Sequence, residues 1–325
     1  MNNILSICIP TYNRAEKLRG CIEHLIPQIV DYDIPIYVSD NASKDHTSEV
    51  IEELKNTYKY IYYSRNEENF GFDYNFTKVL KMSDSQYSWL LSDDDRVVKS
   101  AISDVLSILN YRSYDLVVLN GGQLSINSSG DFDILGRVKN ISSKIYYDKN
   151  ELLVELGWHM TWISCLIFCH DVIRKGQFDK YQNTSLVHVG AVFDYLADKD
   201  ISVYWFEKPC LYGISTEILP SWVDKIFEIW VYNWFELVNS LPLYSKEAKF
   251  ECIKNHGMQT SLFNSWRSFY NLRKLGYYNY SIYRKYYNYL KHVTDVPLYL
   301  LFIISIAPNF MIALSRKLTK AIAKL

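Results

Sequence analysis

Three consecutive carboxylates, Asp93, Asp94 and Asp95, follow the apolar run 87–91 in this chain of 325 residues. Adjacent carboxylates repel one another unless water or a cation lies between them. Oxygen ligands of this kind suit Mg²⁺ or Mn²⁺, which typically take one or two carboxylates and complete their coordination with substrate phosphate oxygens. The run therefore predicts a divalent-metal site, and an acidic helix N-terminus is the structural alternative.

Three other polar clusters also follow apolar runs. They span residues 10–14 (PTYNR), 39–45 (SDNASKD) and 65–76 (RNEENFGFDYNF). Their guanidinium, amide and carboxylate groups could contact a ligand, and a carboxylate such as Asp40 can accept the N–H of a pyrimidine base. Ordinary turns and helix caps are the simpler explanation for some members, including Ser43.

The segments between these clusters alternate between short β-branched runs and helical stretches. This alternation predicts a mostly parallel sheet with helices on both faces. Ligands of such sheets bind beyond the carboxyl ends of the strands, where all four clusters fall. The expected strands are 4–9, 34–39, 61–64, 87–91 and 116–120, and the expected helices are 15–29, 45–58, 72–82 and 100–111.

The pattern changes in the second half of the chain. From about residue 217, Trp and Tyr recur at helical spacing and strand-like alternation stops. The sequence therefore predicts an α/β domain over 1–215 and a helical C-terminal region over 216–325. Before that boundary we expect a loop or β excursion at 121–150, a strand at 161–168, a helix at 189–198 and a strand at 201–206.

Composition and motifs exclude several classes of protein. The formal net charge of -1, from 35 Lys+Arg and 36 Asp+Glu, lacks the basic surplus of a general nucleic-acid binder. Neither G-x-G-x-x-G nor G-x-x-x-x-G-K-[ST] occurs, which argues against dinucleotide and P-loop chemistry. The six cysteines lack zinc-site spacing and favour buried thiols, and the start of the chain (MNNILSICIP) is unlike a secretory signal. We expect a cytoplasmic protein.

As a set, the segments IPTYNR, SDNASKDHT, NFGFDYNF and SDDD resemble the nucleotide-sugar-dependent glycosyltransferases of family 2, which have a GT-A fold. The later segments TWISCLIF and NTSLVH are similar to the abequosyltransferase-like subgroup. This resemblance covers about residues 1–215. It implies metal-dependent, inverting transfer of a sugar from a nucleoside-diphosphate sugar to a saccharide acceptor, in the synthesis of bacterial surface polysaccharide.

The resemblance also implies roles for individual residues. Asp40 would contact the base and Asp93 the ribose, while Asp94, together with Asp95, would hold Mn²⁺ or Mg²⁺. The register of this motif departs from the family pattern, because Ser92 stands where many members have Asp. The nucleotide-binding set is Pro10, Thr11, Tyr12, Arg14, Asp40, Asn41, Arg65, Asn69, Gly71, Asn75 and Asp93.

The family's general base is an Asp that follows Glu near a helix start, and the corresponding stretch here has no such pair. His188 occupies the most similar position, and an imidazole can accept a proton at neutral pH. Asp194 is the alternative. A helix that starts near 188 turns through about 600° between the two, so they are competing candidates on different faces. We favour His188.

The end of the chain combines an apolar stretch with a basic one. Residues 296–315 carry no formal charge, but Pro297, Pro308 and Asn309 interrupt a membrane span. The following RKLTKAIAKL has four Lys/Arg and predicts an amphipathic segment on anionic lipid. A helix packed on the protein's own core is the alternative. Peripheral contact with the inner face of the plasma membrane would suit a lipid-linked acceptor.

Two other functions fit parts of the sequence. A non-catalytic nucleotide- or saccharide-binding protein on the same fold would explain the missing Glu-Asp pair. A sugar nucleotidyltransferase also binds nucleotide and metal on a similar sheet, but it needs a Gly-rich loop near the N-terminus. The segment IPTYNR contains no glycine, which weakens that second alternative.

Overall fold

A computed structural model describes residues 4–126, 132–214 and 222–308. Contacts within this part of the chain form two compact units. The first takes the residues up to 214 together with Leu241–Tyr244. The second takes residues 222–240 and those from 245 onward.

The first unit alternates strands and helices over its first half, as the sequence predicts. Its elements up to the middle of the unit are β1 (Leu5–Thr11), α1 (Ala15–Ile29), β2 (Ile36–Asp40), α2 (Thr47–Thr57), β3 (Ile61–Arg65), α3 (Phe72–Lys81), β4 (Tyr87–Leu90), β5 (Asp95–Val97), α4 (Ala101–Tyr111) and β6 (Leu116–Ile126). It continues with β7 (Phe132–Gly136), β8 (Lys144–Tyr146), α5 (Lys149–Leu156), β9 (Leu166–Cys169), α6 (His170–Lys175), α7 (Val187–Tyr195) and β10 (Val203–Gly213).

These strands form one mixed sheet in the order β3-β2-β1-β4-β9-β6-β10-β5, with β7 beside β6 and β8 beside β10. β9 is antiparallel to both β4 and β6, so β4 and β6 share a direction. Among the described strands, β1, β2, β3, β4, β6 and β10 run one way and the other four run the opposite way. The expected mostly parallel sheet is confirmed.

Apolar side chains explain why these elements pack together. β1 is buried at nearly every position, as befits a strand with parallel neighbours on both sides. In α1, the buried residues Leu18, Cys21, Ile22, Leu25 and Ile29 recur at the three-to-four-residue spacing of a single helix face. Burying each large aliphatic side chain contributes about 1.5–3 kcal/mol before the entropy of ordering is subtracted.

Several local expectations need correction. The sequence predicts neither β5 nor α5; β5 is short and polar, and it exists because it pairs with β10. The stretch predicted as a strand at 161–168 begins instead with two 3₁₀ turns, His159–Thr161 and Ile163–Cys165, each closed by its own turn hydrogen bonds. The described residues of 121–150 form the β excursion rather than the loop, since β7 and β8 lie there.

The second unit is helical, as expected. Its helices are α8 (Trp234–Ser240), which continues a π-helical turn, α9 (Lys246–Gln259), α10 (Trp266–Leu275), α11 (Tyr280–Val293) and α12 (Leu298–Ile306). Ser245, Ser265 and Asn279 accept backbone N–H bonds at the starts of α9, α10 and α11. In the portion described, no helix has both the length and the apolar character to cross a bilayer. The predicted amphipathic segment RKLTKAIAKL lies outside the described residues.

All six cysteines are free, and five of them are buried. Burial raises the pKa of the Cys8 thiol to about 12 and that of the Cys252 thiol further still. Buried thiols of this kind are inert, small apolar side chains, because the thiolate is the reactive form. This agrees with the expectation from the sequence.

A glycine on α7 permits close packing that a test can exploit. A Cβ added at Gly190 would lie 2.3 Å from the ring of the buried Tyr181, whereas one added at Gly20 of α1 would meet only the end of the flexible Arg96 side chain. We expect Gly190→Ala to lower the free energy of unfolding by about 1–3 kcal/mol. Gly20→Ala, the matched helical control, should be neutral or slightly stabilising. Urea denaturation measures both, and equal effects would contradict this packing.

Candidate functional site

The carboxyl ends of three parallel strands lie level with one another. Thr11 at the end of β1 pairs with Asp40 of β2, which pairs with Arg65 of β3. The alignment continues past the strands through backbone hydrogen bonds. The backbone N–H of Asn41 donates to the Thr11 carbonyl at 3.0 Å, and the backbone N–H of Asn66 donates to the Asp40 carbonyl at 2.8 Å. The register thus brings three of the sequence-predicted clusters together at one edge.

Asn75, in the first half of α3, hydrogen-bonds the strand ends at this edge through its side chain. Its Nδ2 donates to the carbonyls of Ser39 (2.9 Å) and Thr11 (3.3 Å), and its Oδ1 accepts the Ser39 hydroxyl at 2.7 Å. The residue is buried. In this structure the Asn75 amide ties β1 to β2 and supports the site from within.

Asn41 organises the loop that follows β3. Its Nδ2 donates to Asn69 Oδ1 (2.7 Å) and to the Gly71 carbonyl (3.0 Å), while its Oδ1 accepts from Asn66 Nδ2 at 2.8 Å. Gly71 has a φ of 88°, and a Cβ added there would meet nothing within 4 Å. The loop is therefore internally fixed, and its glycine backbone lies beside open space where a ligand could approach.

Asp40 is buried and has partners on both oxygens. Oδ1 accepts the Ser43 amide at 2.8 Å, and Oδ2 accepts the Tyr63 hydroxyl at 2.7 Å. Arg65 Nε lies 3.7 Å from the same Oδ2, and 47% of the Arg65 side chain is exposed. Burial and the Asp40 carboxylate both raise the pKa of Tyr63. Asp40 thus holds the β2 loop and keeps Arg65 at the surface of the site.

The first cluster is tied to the second by its own backbone. Asn13 adopts a left-handed conformation (φ 52°); its amide donates to Ser43 Oγ at 2.8 Å, and its Oδ1 accepts the Lys44 amide at 2.7 Å. Asp45 Oδ2 accepts the backbone N–H of Ala15 at the start of α1, and Asp45 Oδ1 accepts the backbone N–H of Thr47 at the start of α2. Pro10 is the last residue but one of β1, and Tyr12 and Asn13 are exposed in the turn that follows it.

The three consecutive carboxylates have three different environments. Asp93 is buried and accepts from Thr11 Oγ1 (2.7 Å) and Arg14 Nη1 (3.0 Å); burial raises its pKa to about 6, and the nearby guanidinium opposes that shift. Asp95 is buried on the other side, accepting from Trp162 Nε1 (2.7 Å) and Ser164 Oγ (2.5 Å). Burial raises the pKa of Asp95 to about 7.

Asp94 is the carboxylate that faces the solvent, with a quarter of its side chain exposed. Arg14 Nη1 lies 3.0 Å from its Oδ2, Lys17 Nζ lies 3.8 Å away, and the Ser92 hydroxyl donates to Oδ1 at 2.6 Å. In the part of the chain that the structure describes, no three His, Cys, Asp or Glu side chains gather to hold an ion. One accessible carboxylate still suits Mg²⁺ or Mn²⁺ that takes its other ligands from a diphosphate and water.

The two candidate bases both lie on α7, but they have different neighbours. His188 is buried against Phe76, with ring centroids 5.8 Å apart, and among the described residues neither ring nitrogen has a hydrogen-bond partner. Burial lowers its pKa to about 4, and the nearby backbone of Thr161 opposes that shift. Asp194 Oδ2 instead accepts from Lys180 Nζ at 2.8 Å and the Tyr181 hydroxyl at 3.1 Å.

Sequence reasoning missed three residues that position this site. Trp162 and Ser164 hold Asp95, and Asp73 of α3 accepts the Ser185 amide at 2.9 Å just before α7. All three lie in segments that carried the family resemblance, TWISCLIF and NFGFDYNF. Their residue types alone indicate no partner, so no signal in a single sequence assigns these contacts.

Residues 6–176 match the family described as Glycosyl transferase family 2. That stretch is more than half of the chain. The chain belongs to this family. The resemblance inferred from the four clusters is confirmed, and the family match covers the sheet edge at which they meet.

Individual glycosyltransferases are similar to parts of the chain. The abequosyltransferase RfbV of Salmonella typhimurium is 28% identical over 220 residues, covering 63% of this chain and 65% of the relative. A GalNAc(5)-diNAcBac-PP-undecaprenol beta-1,3-glucosyltransferase of Campylobacter jejuni is 31% identical over 109 residues, or 33% of this chain and 34% of the relative. The chain thus spans less than two-thirds of the length of each.

A solved structure shows the fold. The crystal structure of S. aureus TarS 1-349 in complex with UDP-GlcNAc superposes with a TM-score of 0.59 at 13% identity, covering 84% of this chain and 75% of that one. The expected α/β GT-A fold with a helical C-terminal region is confirmed.

The buried imidazole of His188 makes stability depend on pH. The unfolded chain binds a proton here below about pH 6.5, whereas the folded protein does so only near pH 4, so stability is lost as the pH falls between these values. The loss from this residue should reach about 3 kcal/mol at pH 4. Urea denaturation of His188→Gln between pH 8 and pH 4 should show a loss of stability that is smaller than that of wild type by this amount.

His46→Gln is the matched control for that measurement. His46 is exposed and its pKa is raised by a hydrogen bond to Glu16, so removing it should not relieve the acid sensitivity. An identical pH profile for wild type and His188→Gln would mean that the ring is not buried in the neutral form.

Proposed function

We propose that the chain is a metal-dependent glycosyltransferase that moves a sugar from a nucleoside-diphosphate sugar to a saccharide acceptor in bacterial surface-polysaccharide synthesis. The observation that carries this proposal is the cluster of Arg14, Asp93 and Asp94 where the ends of β1 and β4 meet. It combines an accessible carboxylate with a guanidinium beside the aligned strand ends. Family membership supports the same activity.

The donor nucleotide would lie along the aligned strand ends. Asp40 would contact the base, Asp93 would approach the ribose, and Arg65 would support the nucleotide and diphosphate. Pro10, Thr11 and Tyr12 would line the same edge, with Asn41, Asn69, Gly71 and Asn75 shaping and supporting it. Many of these side chains already hydrogen-bond one another, which favours a site whose shape exists before the ligand arrives.

Asp94, with Asp95 behind it, would hold Mn²⁺ or Mg²⁺. Such an ion supplies Lewis-acid stabilisation of the negative charge that grows on the leaving diphosphate. Arg14 and Lys17 add two cationic groups beside Asp94. Charge-assisted hydrogen bonds from a guanidinium to phosphate are short and comparatively strong, so Arg14 would both orient the diphosphate and oppose its charge.

His188 is the proposed general base, and Asp194 is the alternative. A base must accept the proton of the acceptor hydroxyl. A neutral imidazole that no described residue hydrogen-bonds retains the lone pair to do so. Asp194 Oδ2 already accepts two hydrogen bonds, from Lys180 and Tyr181. Direct displacement by the acceptor would invert the anomeric centre.

The acceptor is proposed to be lipid-linked, with the protein peripheral on the inner face of the plasma membrane. The Campylobacter jejuni relative is named as a glucosyltransferase of GalNAc(5)-diNAcBac-PP-undecaprenol, a lipid-linked saccharide. On α12, the apolar or aromatic side chains of Tyr299, Phe302, Ile303 and Ile306 are exposed. Aromatic and aliphatic side chains together on one helix suit a bilayer interface.

A panel of thermal shifts with UDP, CDP, dTDP and GDP, each with and without Mn²⁺, tests the proposal. A ligand at 100 times its Kd stabilises by about 2.7 kcal/mol, enough to move Tm visibly. We expect a metal-dependent shift with one nucleotide. No shift with any of them would favour the alternative of a non-catalytic saccharide-binding protein on this fold.

Asp94→Ala should abolish the Mn²⁺-dependent part of that nucleotide shift, because it removes the accessible carboxylate while leaving the buried Asp93 and Asp95 in place. Asp84→Ala is the control, since the Asp84 side chain is 87% exposed and pairs only loosely with Arg174. Retained Mn²⁺-dependent stabilisation in Asp94→Ala would refute the metal assignment.

His188→Gln should keep the nucleotide shift and lose donor turnover by about 10²–10⁴-fold, the usual contribution of a general base. Turnover is measured as hydrolysis of the sugar nucleotide whose nucleotide gives the shift. Asp194→Asn, which keeps the size of the side chain, should retain turnover. The reverse result would transfer the role to Asp194, and full turnover in both variants would exclude both residues.

A further inference from the structure

Arg137, just after β7, is a cation with no carboxylate partner among the described residues. Its guanidinium lies over two indoles, with its carbon 5.3 Å from the ring centre of Trp158 and 5.4 Å from that of Trp162. The side chain is partly buried, and burial lowers its pKa. In the described part of the chain, the guanidinium makes no ion pair and donates no hydrogen bond.

The ionisable groups nearest to this guanidinium do not balance its charge. The Cys165 thiol is buried and its pKa is raised, so it stays neutral. The buried His159 has its pKa lowered to about 3, first by burial and then by Arg137 itself. The two indole faces offset part of the cost of burying the cation, but they leave its N–H donors unused.

The surrounding backbone holds Arg137 in this position. The Arg137 amide donates to the Gly121 carbonyl at 2.8 Å, and Asn120 bonds the next residue, Val138, through both of its side-chain atoms. A Cβ at Gly121 would lie 2.4 Å from the Trp162 ring, so only glycine lets that indole pack against β6. The guanidinium and its two rings therefore form a fixed arrangement.

Trp162 connects this arrangement to the proposed active site. The Arg137 guanidinium lies over the face of the Trp162 indole, and Nε1 at the edge of the same indole donates to Asp95. Arg137 belongs to the β6–β7 side of the acidic run, whereas Arg14 and Lys17 lie on the β1 side. A diphosphate bound at Arg14 would leave Arg137 available to bind a different ligand.

We propose that Arg137, whose guanidinium lies over Trp158 and Trp162, binds a phosphate group of the acceptor. A planar guanidinium with free donors matches phosphate oxygens in pairs, and the phosphate supplies the negative charge that the protein does not. Assigning this phosphate to the acceptor rests on the proposed glycosyl transfer. The site itself requires only that a phosphate binds at Arg137.

The test is a titration with methyl phosphate, dimethyl phosphate and acetate at constant ionic strength, followed by Tm. We expect stabilisation by a phosphate and less by acetate. Dimethyl phosphate acting as well as methyl phosphate would support a phosphodiester within the acceptor; methyl phosphate acting alone would support a terminal phosphate or diphosphate. No phosphate-specific shift, or a larger shift with acetate, would overturn the proposal.

Four variants locate the binding. Arg137→Gln should weaken methyl phosphate at least about tenfold, in line with the loss of one charge-assisted contact. Arg137→Lys, which keeps the charge and contact with the rings, should weaken it less and serves if the Gln variant folds poorly. Arg112→Gln is the control, because Arg112 also lies over a ring, that of Tyr114, but on the surface. Loss in Arg14→Gln with none in Arg137→Gln would put the phosphate at the donor site and overturn the proposal.

The nucleotide panel, run on the same proteins, separates this inference from the proposed function. Arg137→Gln should retain the metal-dependent nucleotide shift. If wild type responds to methyl phosphate through Arg137 but to no nucleotide, the phosphate site stands and the transferase proposal fails. If nucleotides bind and methyl phosphate does not, the phosphate site fails alone.

Discussion

The burial of carboxylates at the end of β4 is the constraint on which the rest of the site depends. Two charged groups cannot leave water cheaply unless hydrogen bonds or opposite charges replace their hydration. Asp93 finds these partners on one side, in Thr11 and Arg14, and Asp95 finds them on the other, in Trp162. The loop after β1 and the turn before β9 therefore both pack against the acidic run. Asp94 lies between Asp93 and Asp95 in that run and remains accessible to solvent.

The positions of the polar clusters could be predicted because they depend on local features. An apolar run followed by polar residues identifies a strand end, and parallel strands end at the same edge, so Asp40, Arg65 and the acidic run could be grouped from the sequence. The sheet direction and the helical second unit followed from periodicity in the same way. These are properties of residue spacing, which a single chain displays directly.

The uses of the individual side chains could not be predicted, because hydrogen-bond partners depend on register. Asn75 looks like a ligand-binding amide in the sequence, and only the alignment of β1 with β2 turns it toward their carbonyls. The burial of His188 depends likewise on Phe76, 112 positions earlier in the chain. β5 is similar: its polar residues form a strand only because β10 is beside them.

The buried thiols make the folded chain a reporter of its own opening. A reagent that reacts with thiolates cannot reach Cys8 inside β1 or Cys252 inside α9 until the surrounding structure opens. Cys252 is the cysteine of the helical unit, and the other five belong to the unit that contains the sheet. The labelling rate at Cys8 would thus report the opening of the sheet-containing unit, and the labelling rate at Cys252 would report the opening of the helical unit. Neither measurement needs an engineered probe.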